Sequence, residues 1–114
     1  MAVAAVTITA ALPAAAEGLE GSHRGLHNAL GLDVSGGTTA IVQVTSGACM
    51  GYLEGPVTGL GDGRREIQGS SVEAPCTLSV LRRDDGALEM SEGPGCGYHH
   101  GASCEFSGVL GPAR

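Results

Sequence analysis

Beyond residue 37, the chain consists of short runs in which apolar and polar residues alternate, separated by turn residues. The clearest run is CTLSVLR at 76–82, which places Leu78 and Val80 on one face of a strand. Such period-two alternation is typical of β-strands with one buried face. Further runs of this kind lie at 38–44, 49–57, 65–69, 87–92 and 104–110.

The segments between these runs support the same interpretation. The sequence RDDG at 83–86 predicts a hairpin, because Asp-Gly suits the positive φ angles of a type I′ turn. The polar, glycine-rich segment 17–37 predicts a loop or a first short strand. Its histidines, His23 and His27, are four residues apart, but glycines disfavour a helix there. Six or seven strands without a helix predict an all-β antiparallel meander that closes into a small barrel or a compact sandwich.

The N-terminal segment 1–16 has the features of a signal peptide. It is uncharged, and its apolar run of roughly 15 residues is shorter than the roughly 20 that span a bilayer. It ends in three alanines, which predicts cleavage before Glu17 and a mature chain that does not insert into a membrane. No basic residue precedes Arg24, so either the true start lies upstream or the signal is weak. A buried N-terminal helix is the competing interpretation.

Length and composition limit what the mature part can be. The chain of 114 residues allows a single domain at 17–114, with an ordered core at about 38–110. Its only aromatic residues are Tyr52, Tyr98 and Phe106, so the core must consist mainly of aliphatic side chains. The net charge of −6 disfavours nucleic acid as a partner and favours a basic protein or a cation.

Four cysteines in an exported chain predict two disulfides. Sequence alone allows three pairings among Cys49, Cys76, Cys96 and Cys104. We predict Cys49–Cys76 and Cys96–Cys104, because each bridge would then join consecutive elements of the meander. The second bridge would close a seven-residue loop. In that bridge the cysteines would lie opposite each other on antiparallel neighbours, at about the right separation.

The segment EGPGCGYHHGASCEFSG, at 92–108, concentrates cysteines and histidines. Cys96, His99, His100 and Cys104 are plausible zinc ligands, but their spacing matches no common zinc-site pattern, and a disulfide is simpler. We predict instead that the loop 93–102 is a contact surface without a metal, which presents Tyr98, His99 and His100 to a partner.

The same loop also contains the residue types of a catalytic site. Ser103 and Ser107 lie near the two histidines, and Glu92 and Glu105 flank them. The chain has no G-x-S-x-G elbow and no glycine-rich phosphate loop before a helix. We therefore predict that the protein is not an enzyme and needs no cofactor.

Three stretches carry a resemblance to known proteins: CMGYLEG, CTLSVLR and LEMSEGPGCGYHHGASCEFSG. They resemble small exported proteobacterial proteins of uncharacterised function that end in a Cys-x-Tyr/His-His-Gly-x-x-Cys-x-Phe-x-Gly stretch. The resemblance implies a secreted β domain with two disulfides. In size and location the chain is also similar to periplasmic lysozyme inhibitors, although SGACMGY does not match the Ser-Gly-x-x-Tyr loop of one such group.

These expectations combine into one functional hypothesis. The protein is predicted to be a periplasmic or secreted binding module whose partner is a basic protein of the cell envelope. The alternatives are a structural envelope protein without a specific ligand and a metal-binding protein that uses the cysteine–histidine cluster.

Overall fold

A computed structural model describes residues 19–36, 38–61 and 63–112. Its eight strands are β1 Gly21–Gly25, β2 Leu30–Ser35, β3 Thr39–Ser46, β4 Cys49–Gly61, β5 Arg64–Gln68, β6 Thr77–Arg82, β7 Leu88–Glu92 and β8 Gly108–Pro112. Each strand pairs antiparallel with the next, and β8 pairs with β1, so the sheet closes into a barrel. The predicted all-β meander is confirmed, and the barrel is the one of the two expected forms that is present.

The interior of the barrel is filled by apolar side chains. In β2, Leu30, Leu32 and Val34 are buried, whereas the residues between them are only partly buried. Other strands alternate in the same way, and Phe106 joins this core from the segment before β8. Eight strands enclose a space that side chains can fill. The structure is therefore a packed core within a closed sheet.

The strands begin earlier in the chain than the sequence patterns indicated. The segment 17–37, expected to be a loop or one short strand, contains both β1 and β2, so that expectation was wrong. The alternating Leu30, Leu32 and Val34 bury three side chains, which outweighs the glycine content of the segment. The barrel thus includes residues before the expected core of 38–110. The last strand also begins later than expected, at Gly108.

The hairpin between β6 and β7 is confirmed, but its turn differs from the expected two-residue type. The Arg83 N–H donates to the Ala87 carbonyl oxygen at 2.8 Å, which leaves three residues, 84–86, in the loop. Gly86 has a φ of 89°, in the left-handed region that favours glycine. This is the arrangement in which a left-handed residue closes a three-residue hairpin loop.

Because consecutive strands run antiparallel, successive connections lie at alternate ends of the barrel. We call one the disulfide end; it is formed by the connections 26–29, 47–48, 69–76 and 93–107. The connections β2–β3, β4–β5 and β6–β7 lie at the opposite end. Within the described part of the chain, no helix has the length and apolarity needed to cross a membrane. The predicted signal peptide, 1–16, lies outside the described residues.

Candidate functional site

All four cysteines form disulfides, and the bridges lie at the disulfide end. Cys49, the first residue of β4, is bonded to Cys104, with their Cα atoms 6.0 Å apart. Cys76, directly before β6, is bonded to Cys96, with their Cα atoms 4.6 Å apart. The four predicted disulfide cysteines are confirmed as such, but the predicted pairing was wrong.

The observed pairing differs from the predicted one because of the way the connection 93–107, which we call the cysteine loop, is attached to the barrel. A bridge between Cys96 and Cys104 would have closed this loop on itself. Instead, each of these cysteines ties the loop to a different element, one to the connection before β6 and the other to the start of β4. These two bridges hold the loop across the end of the barrel. A single bridge between Cys96 and Cys104 would not attach the loop to the rest of the fold.

The cysteine loop lies directly against β4. Gly51 forms an isolated antiparallel bridge with His100, and the Gly101 N–H donates to the Met50 carbonyl oxygen at 3.1 Å. A Cβ on Gly51 would lie 2.5 Å from the His100 Cβ and 3.0 Å from a Phe106 ring carbon. A side chain at this position would therefore force the loop away from the strand, so glycine is required by the close approach.

His100 points inward and belongs to a partly buried polar network. Its Nε2 lies 3.0 Å from Oε2 of Glu92, and its Nδ1 lies 2.6 Å from the Gly101 carbonyl oxygen. The same Glu92 oxygen accepts the Phe106 N–H at 3.0 Å. The imidazole also packs edge-on against the Phe106 ring, with 5.0 Å between centroids. These contacts fix both ends of the cysteine loop, and the His100 side chain is only 8% exposed.

The surroundings of His100 favour its charged form. Burial by itself lowers the pKa of the imidazole. Hydrogen bonds to the Gly101 carbonyl and the Glu92 carboxylate, together with the charges of Glu92 and Glu105, outweigh it and raise the pKa above its usual 6.5. Both ring nitrogens face oxygen acceptors, which a doubly protonated imidazole satisfies with two N–H donors.

We expect stability to depend on pH through this group. Because the folded pKa is raised, the stabilisation is fully present below 6.5 and is lost as the pH rises through the folded value. Urea unfolding of the wild type and of His100→Gln from pH 6 to pH 9 should show a steeper loss of stability in the wild type. The exposed His27 provides the control variant, His27→Gln, which should keep the wild-type slope. A His100 pKa below 6.5 by NMR would contradict this prediction.

Tyr98 and His99 occupy the outer side of the cysteine loop. They belong to the 3₁₀ helix Cys96–His99, and Tyr98 is 84% exposed. The partly exposed His99 places its Nε2 2.5 Å from the Ala74 carbonyl oxygen, which ties the loop to the connection before β6. Of the three residues predicted to contact a partner, the structure therefore presents Tyr98 to solvent, leaves His99 partly exposed and turns His100 inward.

Exposed apolar side chains concentrate near the same end. The sequence patterns did not single out Met50 and Tyr52, which are 69% and 50% exposed on the outer face of β4. Together with His99 they line a shallow groove, completed on β3 by Gln43 and Thr45. Further exposed apolar residues in the disulfide-end connections are Leu26 and Val72. The sequence contained a signal for this surface, because Met50 and Tyr52 are large apolar residues at positions of β4 that alternate with the buried ones.

The two ends of the barrel differ in charge. The connections of the disulfide end carry Glu73 and Glu105 and contain no arginine. The strand ends beside these connections carry Arg24, which pairs with Asp33, and Glu92. At the opposite end, the strand ends and turns around β5, β6 and β7 contain Arg64, Arg65, Arg82 and Arg83 together with Asp84 and Asp85, and Arg83 pairs with Asp85. The disulfide end therefore presents acidic and apolar groups to solvent.

The two disulfides exclude the metal site of Cys96, His99, His100 and Cys104, one of the alternatives given by the sequence. Cys96 and Cys104 are in two different disulfides, so neither offers a thiolate, the form of cysteine that binds zinc. In the part of the chain that the structure describes, no group of three or more His, Cys, Asp or Glu residues is arranged to hold a metal ion. Ser107, one of the two candidate nucleophiles, accepts the Glu92 N–H through its Oγ at 3.1 Å.

Compared with protein-family models, curated proteins and solved structures, the chain shows no match.

Proposed function

We propose that the chain is a non-catalytic binding module of the cell envelope whose disulfide end contacts a basic partner protein. The observation that carries this proposal is Tyr98, 84% exposed on a loop that two disulfides tie to the barrel. A loop held in one conformation loses less entropy on binding than a mobile one. Tyrosine is also among the residues enriched at binding hot spots.

Charge supports a basic partner. The net charge is −6, and the connections around Tyr98 carry acids without arginine. Complementary charge accelerates association and favours correctly charged partners. Lysozymes are basic proteins that act on the envelope, and the similarity in size and location to periplasmic lysozyme inhibitors makes them the first partners to test.

The two disulfides also bear on where the protein works. Structural disulfides persist in oxidising compartments such as the periplasm and the exterior of the cell. Together with the predicted signal peptide, they support a periplasmic or secreted location. A structural envelope protein without a specific ligand is the competing proposal, and it differs in predicting no saturable binding at the disulfide end.

Replacing Tyr98 with alanine tests the proposed surface. We expect Tyr98→Ala to weaken binding to a purified lysozyme about tenfold or more, because the ring would be an anchor of the interface. The melting temperature should change little, because the side chain is exposed. Isothermal titration calorimetry and thermal unfolding measure the two effects.

The matched control lies at the other end of the barrel. Leu81 is also an exposed apolar residue, and Leu81→Ala should bind like the wild type. Raising the salt concentration should slow association, because exposed charges are screened. If the wild type binds neither lysozymes nor other basic envelope proteins, the binding proposal is wrong and the structural alternative stands.

A further inference from the structure

The outer face of β3 and β4 beside the cysteine loop forms a shallow groove with a defined pattern. Tyr52 is paired with Gln43, and Met50 with Thr45, across the two strands. His99 of the cysteine loop borders the groove on its other side. The groove thus combines an aromatic ring, a flexible thioether and polar rims, next to the surface proposed above.

A carboxylate lies at the Tyr52 side of this groove. Residues two apart on a strand share a face, and the Tyr52 hydroxyl donates to Oε2 of Glu54 at 3.2 Å. Glu54 itself lies on the outer, exposed face of β4. The side chain is exposed and has further acceptor capacity. Tyr52 and Glu54 therefore offer a ring face and an accessible carboxylate side by side.

These groups match one kind of side chain. A guanidinium stacks on aromatic rings and pairs with carboxylates in a planar fork, whereas an ammonium acts as a compact point charge. The apolar stem of such a side chain is accommodated by surfaces such as that of Met50. The acidic net charge also disfavours an anionic occupant.

We propose that this groove receives an arginine side chain of the partner, with the guanidinium over the Tyr52 ring and paired with Glu54. The proposal rests on the proposed function, since it names the chemistry by which the binding module recognises a basic protein. It adds a second contact point, on the side of the barrel, to the one at Tyr98.

Two substitutions separate the parts of the proposed contact. Glu54→Gln removes the charge and keeps the shape, whereas Tyr52→Leu removes the aromatic face and keeps an apolar side chain. Glu89, an exposed acid on β7, provides the charge-matched control, Glu89→Gln. The probes are a purified lysozyme and two peptides, hexa-arginine and hexa-lysine, measured by calorimetry at low salt.

The wild type should bind hexa-arginine more tightly than hexa-lysine. Glu54→Gln should weaken binding of lysozyme and of hexa-arginine about three- to fivefold, and Glu89→Gln should stay within about twofold of the wild type. Tyr52→Leu should reduce the preference for arginine over lysine, because the stacking surface is lost. Thermal unfolding of each variant should resemble the wild type, because both side chains are exposed.

The outcomes also separate this proposal from the one on which it rests. If Tyr98→Ala abolishes lysozyme binding while Glu54→Gln and Tyr52→Leu bind like the wild type, the arginine site is wrong and the binding module stands. The arginine site would also be wrong if a neutral oligosaccharide displaced lysozyme from the Tyr52 surface and hexa-arginine did not. If the wild type binds no basic probe, both proposals are wrong.

Discussion

Replacing Cys49 and Cys104 together with serine should lower the free energy of unfolding by about 4 kcal/mol. The two residues are 55 positions apart, and a cross-link over such a span removes much of the conformational freedom of the unfolded chain. Because small domains are stable by only about 5–15 kcal/mol in total, this one bridge accounts for a large share. For a domain of this size, we expect the melting temperature to fall by roughly 15–30 °C.

The second bridge provides the matched comparison. Cys76 and Cys96 are 20 positions apart, so replacing both with serine should cost about 3 kcal/mol, less than the first pair. Denaturant unfolding of the two double variants measures the difference. Peptide mapping without reduction should recover Cys49 linked to Cys104 in the wild type, and it also reads the first residue of the mature chain, expected to be Glu17. Recovery of Cys49 linked to Cys76 would contradict the structure.

Replacing Phe106 with alanine should have an effect of similar size. The side chain is fully buried and is the largest in the core, so its removal loses apolar burial and leaves a cavity. Such substitutions typically cost about 3–5 kcal/mol. Phe106 also holds the cysteine loop against β4 and packs on His100, so we expect the loop to loosen before the barrel unfolds.

Tyr98→Ala is the control for this prediction, because it removes another aromatic ring from the same loop. Tyr98 is exposed, and its loss should change the free energy of unfolding by about 0.5 kcal/mol or less. Hydrogen exchange of the loop amides in the Phe106 variant would report the loosening. A loss below about 1 kcal/mol for Phe106→Ala would mean that the ring is not a core residue.

Most of the fold could be predicted because its strands carry a local signal. In β6, Leu78 and Val80 alternate with polar residues, and the buried face follows directly from that spacing. β2 carries the same signal in Leu30, Leu32 and Val34, but the surrounding glycines masked it. The choice of a closed barrel over a sandwich was not predictable in this way, because the pairing of β1 with β8 joins strands that are far apart in the sequence.

The disulfide pairing could not be predicted for a related reason. In an up-and-down meander, alternate connections lie at the same end, and all four cysteines fall at or beside connections of one end. The sequence therefore does not discriminate among the three possible pairings. What decides among them is the path of the cysteine loop across the barrel, which depends on long-range contacts such as the bridge between Gly51 and His100.

The candidate surface was predicted in part. Tyr98 was predicted to contact a partner because it is an amphipathic aromatic residue, of the kind enriched at binding hot spots, on a loop held by a scaffold, and the structure places it in solvent. The inward position of His100 depends on Glu92 and Phe106, which no local pattern places near it. Met50 and Tyr52 could have been noticed from parity, because Leu53 must face the core and its neighbours at even positions must then face outward.

Because β1 pairs with β8, the strands form a closed ring, and any of them could be the first strand of the chain without a change in the pairing. His23 lies opposite Pro112, so a short linker could join β8 to β1, and the chain could be reopened within the hairpin loop 84–86. Circular permutation of this kind is tolerated where chain ends are close together and at the surface. Every strand pair and both disulfides would be kept, and the new ends would lie at the end of the barrel opposite Tyr98. The protein can therefore be attached to a support or fused to another domain at that end, while its cysteine loop faces away.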